Sequence, residues 1–186
     1  PEAPYPAALE DAVTALEWVR AQGRKQGLDT DRIALCGDSS GGHIALAVAL
    51  RCDTPLRHLG LFYPPIDPTC TSNSQQTFAE NHLLTREGML WFWNLYQQNG
   101  PASLLLEEDF SHLPPTSIGL AQCDILHDEG VFLNQRLQAA GVPTSLRIYE
   151  GMIHAFISLP HLTSTARMAL ADMARDIRIA MQEGSV

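Results

Sequence analysis

The segment Gly37-Asp38-Ser39-Ser40-Gly41-Gly42 lies between two apolar runs, Arg32–Cys36 and Ile44–Leu50. The first run has the length and composition of a buried strand, the second of a helix packed on a sheet. A serine flanked by glycines at that junction implies a strand-to-helix turn too sharp for residues carrying a Cβ nearby. Such a turn lifts the serine hydroxyl to a helix N-terminus at the carboxyl edge of the sheet. Free backbone N–H groups and the helix dipole favour negative charge there. A phosphate loop is the competing reading of a glycine-rich turn. No lysine follows the glycines and no G-x-G-x-x-G is present, so that reading fails.

The rest of the chain alternates helix and strand. Leu9, Ala12, Val13, Leu16 and Val19 form one helical stripe. The segments His58–Tyr63, Thr116–Gln122 and Ser145–Tyr149 read as strands. Residues 67–84 read as loop, and Thr85 suits the N-cap of a helix carrying Met89, Phe92, Trp93 and Tyr96 on one face. That face is either a cap or a stripe packed on the sheet. Another loop runs through Gly100 and Pro101; Val131–Ala140 reads as a helix stopped by Gly141. Leu162, Ala166, Leu170, Met173, Ile177 and Met181 define a closing amphipathic helix. Short apolar strands separated by helices imply an α/β fold with a parallel sheet covered on both faces. One domain spanning residues 1–186 is expected, with 67–101 as a cap or loop region inside it.

Lys and Arg number 12 against 21 Asp and Glu, a net charge of −9 that opposes binding to a phosphate backbone. The longest wholly apolar run, Ile44–Leu50, is far shorter than the roughly 20 residues of a membrane span. Cys36, Cys52, Cys70 and Cys123 are scattered without C-x-x-C spacing, which fits neither a disulfide scaffold nor a structural zinc site. With no signal-like opening, a reducing cytoplasmic location is expected.

A serine nucleophile needs a base, and the base needs an orienting acid. In a fold of this kind the order along the chain is serine, acid, histidine. Of seven histidines, His154 follows the last strand directly. His43 sits on the helix after the serine, and His58, His82 and His112 read as solvated residues in or beside loops. Asp124 ends the Thr116–Gln122 strand and is the best acid. Asp128 reads instead as an N-cap, with Glu129 in the first turn of the next helix. The His127-Asp128-Glu129 run lacks the helical spacing of a metal site. Ile125, Leu126 and Phe156, beside the acid and the base, are expected to wall a pocket.

Four ordered motifs resemble those of the hormone-sensitive-lipase-like esterases in the α/β-hydrolase superfamily. They are Pro1–Asp11, the Gly37–Gly42 turn, Asp124-Ile125-Leu126-His127-Asp128-Glu129-Gly130, similar to D-P-L-x-D-E-G, and Tyr149–Phe156, similar to Y-x-G-x-x-H-x-F. The resemblance implies a triad of Ser39, Asp124 and His154, with the Ser40 backbone N–H as an oxyanion donor. It further implies an H-G-G segment and strands upstream of Pro1, so the chain resembles the back part of that fold. The expected activity is hydrolysis of small carboxylic esters, short acyl esters above all, without metal or organic cofactor. A prolyl-oligopeptidase-type peptidase and a non-catalytic ligand-binding relative are the alternatives. Self-association, or pairing with a front part on the Arg32–Cys36 edge, is the expected assembly.

Overall fold

The computed structural model describes residues 2–100 and 102–182. Of the sequence readings, Pro1 of the opening motif and Pro101 of the second loop lie outside the described residues. The elements run α1 (Ala7–Gln22), β1 (Ala34–Asp38), α2 (Ser40–Arg51), β2 (His58–Phe62), α3 (Asn73–Thr77), α4 (Arg86–Tyr96), β3 (Thr116–Cys123), α5 (His127–Ala139), β4 (Thr144–Ile153) and α6 (Ser164–Gln182). The four strands form one parallel sheet in the order β1-β2-β3-β4.

Helices cover both faces, as the apolar strands require. On one face, Met173 of α6 lies over Gly60, and Asp176 of the same helix receives a 2.8 Å hydrogen bond from Ser117 Oγ. On the other, α5 packs so closely that a Cβ on Gly130 would strike the Leu120 side chain. Helix α2 lies against β1 and β2, with α1 packed upon it through its buried residues Leu9 and Leu16.

Several boundaries differ from the sequence pattern. Strand β1 begins and ends two residues later than Arg32–Cys36, because the ladder with β2 runs from Ala34↔His58 to Asp38↔Phe62 and so enters the glycine motif. Its side chains are half-buried or exposed, not buried on both faces, since among the described residues β1 pairs only with β2. Helix α2 begins at Ser40, immediately after the turn. The 67–84 loop contains the short helix α3, capped by the Ser72 hydroxyl accepting from Gln75 N–H. In the closing helix the buried residues are Ala166, Ala169, Met173 and Ala180; Leu162 precedes the helix and is 79% exposed. Small side chains let α6 approach the sheet closely, and Leu170 is left exposed on its outer side. His58 is buried at the start of β2, donating through Nε2 to Ser117 Oγ at 3.1 Å, where a solvated residue was expected.

Asp176 ties α6 to the sheet, pairing with both guanidinium nitrogens of Arg147 on β4 while accepting from Ser117 on β3. Burial opposes its charge, but the hydrogen bonds from Arg147 and Ser117 outweigh burial and hold the carboxyl below its ordinary value. Its contribution to stability is therefore full above the unfolded carboxyl pKa and is lost as pH falls through the lower folded value. Asp176→Ala is expected to lower stability by about 2 kcal/mol at neutral pH, the scale of lost hydrogen bonds to a charged group, and by much less in acid. Urea denaturation at several pH values checks this.

Candidate active site

Ser39, Asp124 and His154 are each the residue that immediately follows a parallel strand: β1, β3 and β4. Parallel strands end at the same sheet edge, so this topology alone delivers three side chains to one place.

Ser39 sits at φ 51° and ψ −123°, a conformation that L side chains rarely adopt. Its backbone is held by Ser39 N–H donating to the Phe62 carbonyl and by Ser39 O accepting from His43 N–H. Strain of this kind, of order 1–3 kcal/mol, persists only where the surroundings over-determine it. Gly37 is what permits the turn: a Cβ there would overlap the Gly41 carbonyl, whereas one on Gly41 would meet nothing within 4 Å. The two glycines flanking the serine are thus unequal. Ser40 takes the first helical position, where its N–H has no intrahelical acceptor.

His154 reaches the edge through an irregularity in β4. The β3–β4 register passes from Ala121↔Tyr149 to Cys123↔Ile153, so β4 spends two extra residues there. Gly151, at φ 69°, supplies the left-handed turn this bulge needs, and its N–H is held by Gln122 Oε1. The Cys123↔Ile153 pairing then sets Asp124 and His154 side by side. His154 Nδ1 lies 2.7 Å from Asp124 Oδ2, and His154 Nε2 lies 2.9 Å from Ser39 Oγ. The carboxylate accepts from Nδ1–H, which leaves Nε2 free to accept from the serine hydroxyl. Asp124 Oδ1 accepts from Leu126 N–H, and both Asp124 and His154 are buried. The Tyr63 ring, its centroid 4.7 Å from that of His154, backs the imidazole.

A cavity of about 330 Å³ opens beside Ser39 and Ser40. His43, Ile44 and Pro65 line one side; Leu84, Met89, Phe92, Trp93 and Tyr96 line the other. The α4 stripe therefore faces this cavity. Ile125, Leu126 and Phe156 do not line it, contrary to expectation. Ile125 and Leu126 are fully buried against Met89 and Trp93, behind the cavity wall. Phe156 packs between Tyr63 and Tyr149. Adjacency in sequence to the acid and the base does not carry a side chain round to the serine's far side.

The acidic pair after Asp124 also has roles the sequence pattern hides. Helix α5 begins at His127, two residues before the start an Asp128 N-cap would give, so Asp128 is not its N-cap; the Asp128 carboxylate instead accepts from Ser74 N–H at the start of α3. Burial opposes the charge on Asp128, but hydrogen bonds from His127 and Ser74 outweigh it and hold the carboxyl below its usual value. Glu129 is buried and accepts from Ile66 N–H at 2.8 Å, Asp67 N–H at 2.9 Å and Gln75 Nε2 at 3.0 Å. It pins the segment after β2, which includes cavity residue Pro65, to α3 and α5. Burial pushes its carboxyl up to about 7, against the pull of these hydrogen bonds. His43 was the other omission. Its position four residues after Ser39 on one helix puts it on the same face, which the i, i+4 rule could have signalled.

Comparison with known proteins identifies the family of the fold. A model of the alpha/beta hydrolase fold matches residues 1–158. The chain belongs to that family. It is 34% identical over 183 residues to the esterase LipI of Mycobacterium tuberculosis, covering 91% of this chain and 56% of LipI. It is 33% identical to an ethyl acetate hydrolase of Pseudomonas putida, covering 89% of this chain and 56% of that protein. Among solved structures, a thermostable esterase from Pseudomonas putida superposes with a TM-score of 0.91 at 33% identity, over 98% of this chain and 61% of that one. The carboxylesterase EstE1, cloned from a metagenomic library, gives 0.92 at 32% identity, over 98% of this chain and 66% of its own. The chain thus spans little more than half the length of the two sequence relatives. Among the described residues no helix is long and apolar enough to cross a membrane.

Two outcomes follow for the scaffold of this member of the alpha/beta-hydrolase family. Gly37→Ala is expected to lower stability by at least about 2 kcal/mol, since the overlap is with backbone that cannot move aside. Glu129→Ala leaves the Ile66 and Asp67 N–H groups unpaired and is expected to cost about 2–4 kcal/mol. Glu129→Gln keeps an acceptor for both, and rotation of the Gln75 amide presents its unpartnered Oε1 to the new amide group. The wild type holds a proton on Glu129 that the unfolded chain releases above its ordinary pKa near 4.5, so this residue makes stability fall from there to about pH 7. Glu129→Gln should remove that fall. Chemical denaturation across pH 5–8 measures both effects.

Proposed function

We propose that the protein carrying this chain hydrolyses carboxylic esters through an acyl-enzyme on Ser39. The observation that carries this reading is the chain of contacts Asp124 Oδ2–His154 Nδ1 and His154 Nε2–Ser39 Oγ, at 2.7 and 2.9 Å, at the edge of an apolar cavity. Ser39 Oγ attacks the ester carbonyl carbon while His154 Nε2 takes the hydroxyl proton. The carbonyl π bond opens to an oxyanion, to which the Ser40 N–H is directed as one donor. Collapse breaks the bond to the alcohol oxygen, which leaves with the proton from His154. Water then attacks the acyl-enzyme, giving its proton to His154, and the carboxylic acid departs as Ser39 recovers its hydrogen. Asp124 fixes the imidazole tautomer throughout.

His154 must reach the leaving oxygen but does not line the cavity, so the cavity takes the acyl group and the alcohol lies toward His154. Its modest volume and its aromatic wall of Phe92, Trp93 and Tyr96 favour short acyl chains. Helix α4 and the preceding Leu84, within 67–101, act as the cap over it. The names of the relatives, esterase and ethyl acetate hydrolase, support an ester over a peptide substrate. The open edge of β1 is where a further strand, from the same protein or a second copy, would add.

In the full-length protein, Ser39→Ala is expected to abolish labelling by a fluorophosphonate probe and nearly all ester turnover. Asp124→Asn should fold yet lose about 10⁴ in kcat, the scale seen when the orienting acid of a triad is neutralised. Labelling that persists in Ser39→Ala would refute the assignment. Turnover that rises from acetyl to long-chain esters would refute the short-acyl preference.

A further inference from the structure

Strand β2 gives way to two successive prolines, Pro64 and Pro65, just after Tyr63 N–H has donated to the Gly119 carbonyl. A proline has no N–H, so neither residue can continue the ladder, and other contacts must hold this stretch. The next two backbone donors, Ile66 N–H and Asp67 N–H, both go to one atom, Glu129 Oε2, at 2.8 and 2.9 Å. The carbonyls of the same two peptide units are held separately. The Pro65 oxygen lies 2.9 Å from His43 Nδ1, and the Ile66 oxygen accepts from Leu104 N–H at 3.1 Å. A carbonyl can only accept, so His43 Nδ1 carries the proton and donates it.

One of these two peptides belongs to the site. The Pro65–Ile66 unit is planar, with its oxygen and its N–H pointing in opposite directions, so a bond at each end fixes its tilt. At the oxygen end is His43, in the turn of α2 that follows the serine, its own N–H bonded to the Ser39 carbonyl. At the nitrogen end is Glu129, in the first turn of α5, its other oxygen held by Gln75 Nε2 at 3.0 Å. His43 and Glu129 are buried, so bulk water does not compete for either bond. Pro65 and His43 line the acyl cavity, whereas Glu129 does not. A shift of the peptide at its Glu129 end therefore reaches the cavity through the Pro65 ring.

We propose that Glu129 is a positioning residue for the acyl site: with His43 it clamps the Pro65–Ile66 peptide, and so sets the chain length that the cavity admits. This rests on the esterase reading above. While both ends are bonded the proline wall stays in place; with one end released it yields to a longer acyl chain.

The test uses the full-length protein with ethyl acetate and ethyl hexanoate at pH 8. Burial raises the Glu129 carboxyl to about 7, so at that pH it is ionised and both of its oxygens accept. Each variant is assayed at a temperature where circular dichroism shows it folded, and the readout is the ratio of kcat/KM for hexanoate to that for acetate. Glu129→Ala is expected to raise the ratio about fivefold, within the range by which residues sharing one network couple. Glu129→Gln, which keeps an oxygen acceptor for both N–H groups, should restore the wild-type ratio. His43→Leu removes the donor at the other end, and in that background Glu129→Ala should move the ratio less than about twofold. If Glu129→Ala does not fold, Glu129→Asp, one methylene too short to keep its contacts, replaces it throughout. Equal losses on both esters would mean that Glu129 only stabilises the fold, and would overturn the proposal. So would a ratio that Glu129→Gln fails to restore, or a full effect of Glu129→Ala in the His43→Leu background. If neither ester is turned over by the wild type while fluorophosphonate still labels Ser39, it is the esterase reading that fails, and this inference falls with it.

Discussion

The common carboxyl edge of a parallel sheet is the constraint on which the site depends. Because β1, β3 and β4 run the same way, the residues after their last paired positions, Ser39, Asp124 and His154, emerge on one side at one level. None of the three needs a long loop to reach the others. Positioning of this kind comes from backbone hydrogen bonds, which are stiff and numerous, rather than from side-chain packing. The price is local strain: a positive φ at Ser39 and a bulge at Gly151, each at the point where a regular strand would have put the side chain elsewhere.

Around that edge, buried polar contacts hold the connecting segments. Glu129 fastens the segment after β2, the short helix α3 and the start of α5 to one another, while Asp128 holds the N-terminus of α3. These carboxylates come from the same few residues as Asp124, so one short stretch supplies the partner of His154 and the fastening of the segments around it. Burial without these backbone donors would drive Glu129 to its neutral form; the donors offset part of that tendency. On the opposite face the Ser117–Asp176–Arg147 group ties α6 across β3 and β4, far from the serine.

Much of this was legible beforehand, and for identifiable reasons. The glycine-serine motif has few physical realisations between a strand and a helix, so Ser39 could be assigned from spacing and context. Asp124 and His154 followed from the order of strands and from their place just after strand-like runs. Helix α4 and its Thr85 cap were readable because capping chemistry and a 3.6-residue period are local. Strand ends were less so: β1 and β4 both run further than their apolar cores, since ladder pairing, not composition, decides where a strand stops.

What the sequence determined by itself was the fold class, the order of elements and the identity of the three residues at the sheet edge, because each rests on local propensity or on chain order. What only the tertiary structure decided was which side chains enclose the cavity. Ile125, Leu126 and Phe156 are neighbours of Asp124 and His154 along the chain yet point into the core. His43, Pro65, Leu84 and Trp93 come from three separate segments and meet beside Ser39. A pocket wall is a property of surfaces brought together by packing, and no periodicity within one segment records which other segment will face it.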